Sequence, residues 1–259
     1  MTLTRDIREL LRAGLHRPAY FCWGLRHAAR LRRFRNIHRG EGCFVIGNGP
    51  SLNRMELSRL RGHHCFGLNK IYLLFERQAL DLSYHVAVNP LIMQQSAAEI
   101  AGLQCPSFLS YSAARGVVGV DQRKYFLATG GGLGFQPNLL GLVPEGNTVT
   151  FVALQIAFFM GFSRVFLVGV DHSFACAGSA NEKQRFDGPD GNHFDPDYFR
   201  GQEWHLPDLE ASELAYRIAD FTYRRAGRRV YDATLGGKLQ VFEKIGYEEA
   251  LLRCTRKGT

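Results

Sequence analysis

Cys43-Phe44-Val45-Ile46-Gly47-Asn48-Gly49-Pro50-Ser51-Leu52 is the stretch that decides how this chain folds. Four apolar residues run into Gly-Asn-Gly-Pro-Ser, the pattern of a buried strand breaking into a tight turn and a helix start. Glycine tolerates backbone angles closed to other residues, so Gly47 and Gly49 permit a sharp turn and let a ligand approach the main chain. Pro50 suits the first turn of a helix, where its missing N–H costs nothing. Such a turn aims free N–H groups and a helix N-terminus at an anion, most naturally a nucleotide phosphate. Leu52 stands where G-x-G-x-x-G has its last glycine, so this is not the dinucleotide fingerprint. A plain strand-to-helix turn is the competing reading.

From this stretch outward, strand and helix patterns alternate. Strands are predicted at 43–47, 64–68, 82–88, 107–111, 124–128, 164–170 and, as the last, 229–232. Helices are predicted at 70–80, 91–103, 148–161 (capped by Thr148) and 209–226, the last stopped by Gly227. This alternation predicts an α/β fold with a mostly parallel sheet and helices on both faces. In such sheets ligands bind at the carboxyl ends of the strands. Those ends carry Gly47-Asn48-Gly49, Asn69, Asn89 and Asp171-His172-Ser173. A lone Asn is usually a turn residue. Three amides and an aspartate delivered to one edge suit recognition of ribose, base or sugar hydroxyls, because an amide both donates and accepts.

Two loops stand out. Residues 129–148 contain Gly130-Gly131-Gly132-Leu133-Gly134 and read as a lid over a nucleotide or as a loose surface loop. Residues 173–207 are long, polar and rich in aromatics (Phe194, Tyr198, Phe199, Trp204), so this loop folds onto the body. His193 and His205 are its candidate general bases, with hydrogen bonding within the loop as the structural alternative. His193, Asp195 and Asp197 would supply metal-ligand chemistry, but ligands two apart fix no geometry, and no metal is assigned.

The bulk numbers fit a globular chain: 259 residues, 46% hydrophobic and 22% charged. The longest apolar run, residues 149–162, contains Gln155 and is too short to cross a bilayer. Six cysteines lie far apart with no C-x-x-C pair, which favours reduced thiols. Together with the lack of a secretory-signal pattern, this predicts a cytoplasmic location. The net charge is +8, and the basic excess lies in residues 1–40, which hold ten Arg against Asp6 and Glu9. These residues are expected to form a basic helical arm ahead of a single domain at 41–259, with an amphipathic helix at 4–13. In 19–36, Tyr20, Phe21, Trp23 and Phe34 lie among arginines. Packing on the domain with a solvated basic face ranks first for this segment, peripheral docking on an anionic membrane second, and nucleic acid last.

The ordered set of Gly-Asn-Gly-Pro-Ser-Leu, Asn69, Asn89-Pro90 and the unit from Thr148 to Asp171 resembles two related groups. One is the bacterial CMP-sialic-acid-dependent sialyltransferases with a G-N-G-P-S-L motif. The other is the MptE-like family, which includes the archaeal 6-hydroxymethyl-dihydropterin diphosphokinase and the Maf-type flagellin glycosyltransferases. The resemblance spans about residues 42–235. Val-Gly-Val-Asp-His-Ser and the segment from Asp232 to Leu239 look closer to the MptE-like domains. The resemblance implies a Rossmann-like domain with a lid and metal-free inverting transfer of a nonulosonic sugar from a CMP-sugar to a glycan or lipid-linked acceptor. It implies that Asn48 touches the donor phosphate or ribose, Asn69 and Asn89 the CMP-sugar, and Thr148 with its helix turn the nucleotide. Gly47, Gly49 and Ser51 would complete the turn, and Asp171 would support the ribose or the loop. The base would be His193 or His205. His172 and Ser173 stand where the sialyltransferases have aromatic hydroxyls, and Gly146 where a basic residue is expected. His172 would then serve the leaving phosphate. The alternatives are a diphosphokinase using ATP and Mg, and a non-catalytic nucleotide-binding module of a glycan or flagellar assembly.

Overall fold

The computed structural model describes residues 23–175 and 178–254. The strands, in chain order, are β1 (Gly42–Ile46), β2 (Cys65–Leu68), β3 (Tyr84–Ala87), β4 (Ser107–Ser110), β5 (Lys124–Leu127), β6 (Thr129–Gly130), β7 (Val143–Pro144), β8 (Arg164–Val168), β9 (Lys183–Phe186), β10 (Gln202–His205), β11 (Arg229–Asp232) and β12 (Glu243–Lys244). The α-helices are α1 (Ala29–Leu31), α2 (Pro90–Gln95), α3 (Ala97–Gly102), α4 (Tyr111–Ala114), α5 (Val149–Met160), α6 (Leu209–Arg225) and α7 (Tyr247–Arg253). Eight strands form one sheet in the order β12-β11-β8-β1-β2-β3-β4-β5, and every pair is parallel. With its flanking helices this is the expected Rossmann-like α/β fold.

The strand order places the site. From β1 the chain moves outward through β2 to β5, then returns to β8 on the other side of β1 and continues to β11 and β12. The order reverses between β1 and β8, and crevices in open parallel sheets form at such a switch point. Both strands are apolar because both faces are covered: β1 is buried throughout, as are four of the five residues of β8. Helix α5 fits the same logic. Ten of its twelve residues are buried, Thr148 caps its start, and Gly161 ends it at φ 95°. Its buried Gln155 is satisfied at both ends: Oε1 accepts from Gln136 N at 2.8 Å and Nε2 donates to Pro144 O at 2.8 Å. The glycine-rich loop is thereby anchored to the core, and its base is closed by the short β6–β7 pair.

Four expectations change. Residues 70–80 hold only one 3-10 turn, Ile71–Leu74, with Lys70 as its N-cap tied to Tyr198 in the long loop. The helix expected at 91–103 breaks into α2 and α3 at buried Ser96, whose φ of −133° is not helical. After Pro50 comes a 3-10 turn, Pro50–Arg54, rather than an α-helix. A further strand, β12, follows β11 at the sheet edge.

The predicted helix at 4–13, with Tyr20 and Phe21, lies outside the described residues. The rest of the arm packs on the sheet. Trp23 is buried and its Nε1 donates to Phe126 O at 2.7 Å, while Leu31 and Phe34 join the core. Arg30 donates to the carbonyls of Asp121, Gln122 and Lys124. Arg26, Arg32, Arg33 and Arg39 remain exposed. Among the described residues, no helix is long and apolar enough to cross a membrane.

Candidate active site

A cavity of about 560 Å³ opens at the carboxyl ends of the strands, at the switch point. Gly47, Asn48, Gly49, Asn69, Asn89, Thr148, Asp171, His172, His193 and His205 all line it. Ten of the eleven residues singled out in the sequence therefore meet in one place. Gly131, Gly132 and Leu133 line it from the glycine-rich loop, as the lid reading expects.

The eleventh residue, Ser51, is buried outside the lining, and it corrects the reading of the motif. Its Oγ donates to Asp171 Oδ2 at 2.6 Å and its backbone N–H donates to Asp171 Oδ1 at 3.1 Å. Gly49 N donates to Gly169 O at 2.8 Å. The anion at this turn is thus the protein's own carboxylate. The glycines serve the same contact: a Cβ on Gly47 would overlap the Gly169 carbonyl, and one on Gly49 would overlap the Asp171 carboxylate. What approaches the main chain here is β8's continuation, and both glycines also line the cavity. Burial raises the Asp171 carboxyl above its ordinary range, opposed by the two hydrogen bonds from Ser51.

The turn also positions the long loop. Asn48 O accepts from Phe194 N at 2.9 Å, and Asn53 Nδ2 donates to Phe194 O at 2.8 Å. Both backbone groups of the residue after His193 are thereby held. Lys70 grips the loop further on, donating from Nζ to Tyr198 O at 2.8 Å and from its backbone to Tyr198 Oη at 3.2 Å. Burial lowers the Lys70 ammonium to about 8. His193 lies flat on Tyr198, with ring centroids 4.1 Å apart and planes 5° apart.

His193 Nδ1 lies 2.8 Å from Oδ2 of Asp190, whose side chain is 3% exposed. The other carboxylate oxygen of Asp190 accepts from Asn192 N at 2.9 Å. An aspartate that accepts the Nδ1 proton leaves Nε2 as the basic nitrogen of the ring, the arrangement a general base requires. The metal reading of this segment does not assemble. Asp195 pairs with Arg77, Asp197 accepts from Arg200, and His193 is engaged by Asp190 instead.

Three lining residues carry a buried polar atom without a hydrogen-bond partner among the described residues: Asn48 Oδ1, Asn69 Oδ1 and Trp204 Nε1. A buried unpaired polar atom costs about 1–3 kcal/mol, and these three all belong to residues that line the cavity. Asn69 sits at φ 49°, and its carbonyl is held by Nε2 of the fully buried His85 at 2.8 Å. Burial pushes His85 down to about 4, so it holds Asn69 as a neutral ring at pH 7. Asn89 is different, because its Oδ1 already caps α2 by accepting from Leu91 N at 2.8 Å. Thr148 caps α5 by accepting from Thr150 N, its hydroxyl lies 3.2 Å from Tyr216 Oη, and the first turn of α5 lines the cavity. His172, at φ 52°, has its Nε2 3.8 Å from Glu213; burial lowers its pKa against the pull of that carboxylate. His205 lies at the end of β10 on the cavity wall. Gly146 packs its Cα against Phe151 and Ala215 at φ 58°, which leaves no room for a basic side chain there. Among the lining residues there is no Lys or Arg.

Asp190 and Trp204 were not singled out from the sequence as site residues. Asp190 sits in Gly188-Pro189-Asp190-Gly191, where it reads as turn chemistry; its spacing of three from His193 is the one signal. Trp204 reads only as loop packing, and its orphaned Nε1 is visible only once burial is known.

No family model matches the chain, and a comparison with curated proteins returns no match. Among solved structures, the Maf glycosyltransferase from Magnetospirillum magneticum AMB-1 is similar, with a TM-score of 0.52 at 13% identity over 90% of this chain. The match covers 39% of that protein, so this chain spans about two fifths of its length. The sialyltransferase CstII from Campylobacter jejuni, in complex with the substrate analogue cytidine-5'-monophosphate, gives a TM-score of 0.36 at 10% identity, over 80% of this chain and 86% of that one. At such identities the likeness to the Maf enzyme speaks for a shared fold. What this chain does has to be argued from its own cavity.

Proposed function

We propose that this chain is a glycosyltransferase that moves a nonulosonic-type sugar from a CMP-sugar to a hydroxyl acceptor with inversion. The observation that carries this reading is the Asp190–His193 pair, whose histidine lines a cavity that also holds the strand-end residues Asn48, Asn69 and Asn89 and, among the described residues, no Lys or Arg. His193 Nε2 takes the acceptor hydroxyl's proton as the oxygen attacks the anomeric carbon. The bond from that carbon to the phosphate oxygen breaks, and the nucleoside monophosphate leaves with the electron pair. Asp190 holds the ring and balances the imidazolium that forms. The N-terminus of α5 and His172 are the groups available to the departing phosphate. Asn48, Asn69 and Trp204 offer the unpaired acceptors and donor to the nucleotide and sugar.

The donor class follows from charge. A CMP-nonulosonate brings one phosphodiester and one carboxylate charge, fewer than a triphosphate, and helix N–H groups, imidazole and amide donors are the groups available to them. A triphosphate brings several and calls for cations around it. Cytidine itself, and a glycan or lipid-linked acceptor, come from the family resemblance; the exposed arginines of the arm suit an acceptor presented at an anionic surface.

A thermal-shift panel tests the reading. CMP or CTP without magnesium should raise the melting temperature of the full chain. Stabilisation by ATP with magnesium alone would instead favour pyrophosphoryl transfer. Binding with no turnover, unaffected by His193→Ala, would favour a non-catalytic module.

A further inference from the structure

At the opposite end of the same strands, His38, Glu41 and His64 form a second cluster outside the cavity. Glu41 precedes β1, His64 precedes β2, and His38 closes the arm. Glu41 Oε2 lies 3.2 Å from His38 Nδ1 and 2.8 Å from His64 Nε2, and all three donor atoms fall within 4.8 Å of one another. The side chains are 13%, 9% and 14% exposed. Four ligands at about 2.0–2.1 Å around a tetrahedral zinc ion stand roughly 3.3 Å apart. The two spacings to Glu41, 3.2 Å and 2.8 Å, lie close to that value.

A second observation points to an ion. The other nitrogen of His38, Nε2, lies 2.6 Å from Tyr84 Oη on β3. A histidine that ligates through Nδ1 must carry its proton on Nε2, and metal-bound histidines usually donate that proton to an oriented oxygen. The His38 ring is also clamped, stacked on Phe162 with centroids 4.6 Å apart. Ring position, tautomer partner and a shared carboxylate are thus all fixed around one point. Two imidazoles and one carboxylate form a donor set for zinc or a related late transition ion, not for calcium or magnesium, which take oxygen ligands.

We propose that His38 Nδ1, Glu41 Oε2 and His64 Nε2 bind one zinc-class divalent ion, with water as fourth ligand, and that the ion pins the arm to the sheet. The backbone already runs this way: Asn36 N and His38 N donate to Phe159 O and Met160 O at the end of α5. The site is separate from the catalytic cavity, since β1 puts five residues, roughly 16 Å of strand, between them.

The test uses the full chain stripped with chelator and titrated with zinc chloride by calorimetry, and with cobalt for its visible absorption. One equivalent should bind and raise the melting temperature. His64→Gln should weaken binding by at least ~100-fold, and Tyr84→Phe, which removes only the outer hydroxyl, by ~10-fold. Because Tyr84→Phe disturbs neither ligand nor core shape, it serves if His64→Gln folds poorly. His193→Ala should bind zinc like the wild type. Absence of saturable uptake by the wild type would overturn the proposal. So would uptake that His193→Ala abolishes, or that Tyr84→Phe leaves at full strength.

Discussion

The turn at Gly47–Leu52 and the loop at 190–204 touch each other at the edge of one cavity and spend their polar groups in opposite ways. The turn turns inward. Ser51 gives its hydroxyl and N–H to Asp171, Gly49 gives its N–H to Gly169, and the backbone of Asn48 holds Phe194. The loop faces out. His193 is fixed through Nδ1 by Asp190, and Trp204 holds a buried N–H with no hydrogen-bond partner among the described residues. The motif that is easiest to recognise commits its polar groups to the fold, and it positions a less recognisable segment at the cavity. Only the Asn48 side chain, with its unpaired Oδ1, crosses from one role to the other.

If that division is right, the largest single effect belongs to the loop. His193→Ala should lower transferase turnover by ~10²–10⁴-fold, the range of a general base. The melting shift given by CMP should survive. Stability should also fall, by about 3 kcal/mol, because the buried Asp190 carboxylate loses the imidazole it is paired with. Steady-state kinetics with a CMP-sugar donor, together with denaturant unfolding, measure both. Turnover that persists would move the base to His205 and undo the contrast between the two regions.

The turn should answer with stability. Gly47→Ala pushes a methyl into the Gly169 carbonyl, a backbone-to-backbone collision that no rotamer relieves. The expected loss is about 3 kcal/mol by urea denaturation. Gly131→Ala, also at the cavity, meets nothing within 4 Å and should change stability by less than ~0.5 kcal/mol. If Gly47→Ala unfolds at the wild-type midpoint, the turn has slack, and the idea that its glycines admit a ligand returns.

This division explains what the sequence could and could not disclose. Buried parallel strands write themselves as apolar runs ended by Gly, Asn or Asp, so β1, β2, β3 and β8 were legible, and with them the edge where the site forms. β12 is two exposed residues, Glu243 and Lys244, and leaves no such trace. Helical spacing after Lys70 yields one 3-10 turn, and the Lys70 that caps it binds Tyr198, 128 residues away, a contact no local pattern shows. The partner of Ser51 is 120 residues distant in the same way. Spacing reports local preference. Which side chain consumes an N–H group is settled by the sheet order that brings β8 beside β1, and no local pattern contains that. Asn89 and Asn48 looked alike for this reason: both follow a strand, and only their surroundings separate them.

That pair supplies the smallest and sharpest test. Asn89 Oδ1 caps α2, whereas Asn48 Oδ1 is buried without a partner. Asn89→Ala should cost about 1 kcal/mol of stability, the usual worth of an N-cap, with little change in nucleotide affinity. Asn48→Ala removes an oxygen that already bears its desolvation penalty, so stability should stay level or rise slightly. CMP affinity should instead fall by ~5–10-fold, the loss of one hydrogen bond. Calorimetric titration of both variants, alongside their unfolding midpoints, gives the two readouts. Were Asn48→Ala to lose stability and keep its affinity, Asn48 would belong wholly to the scaffold, and the ligand would be read by the 190–204 loop and Asn69 alone.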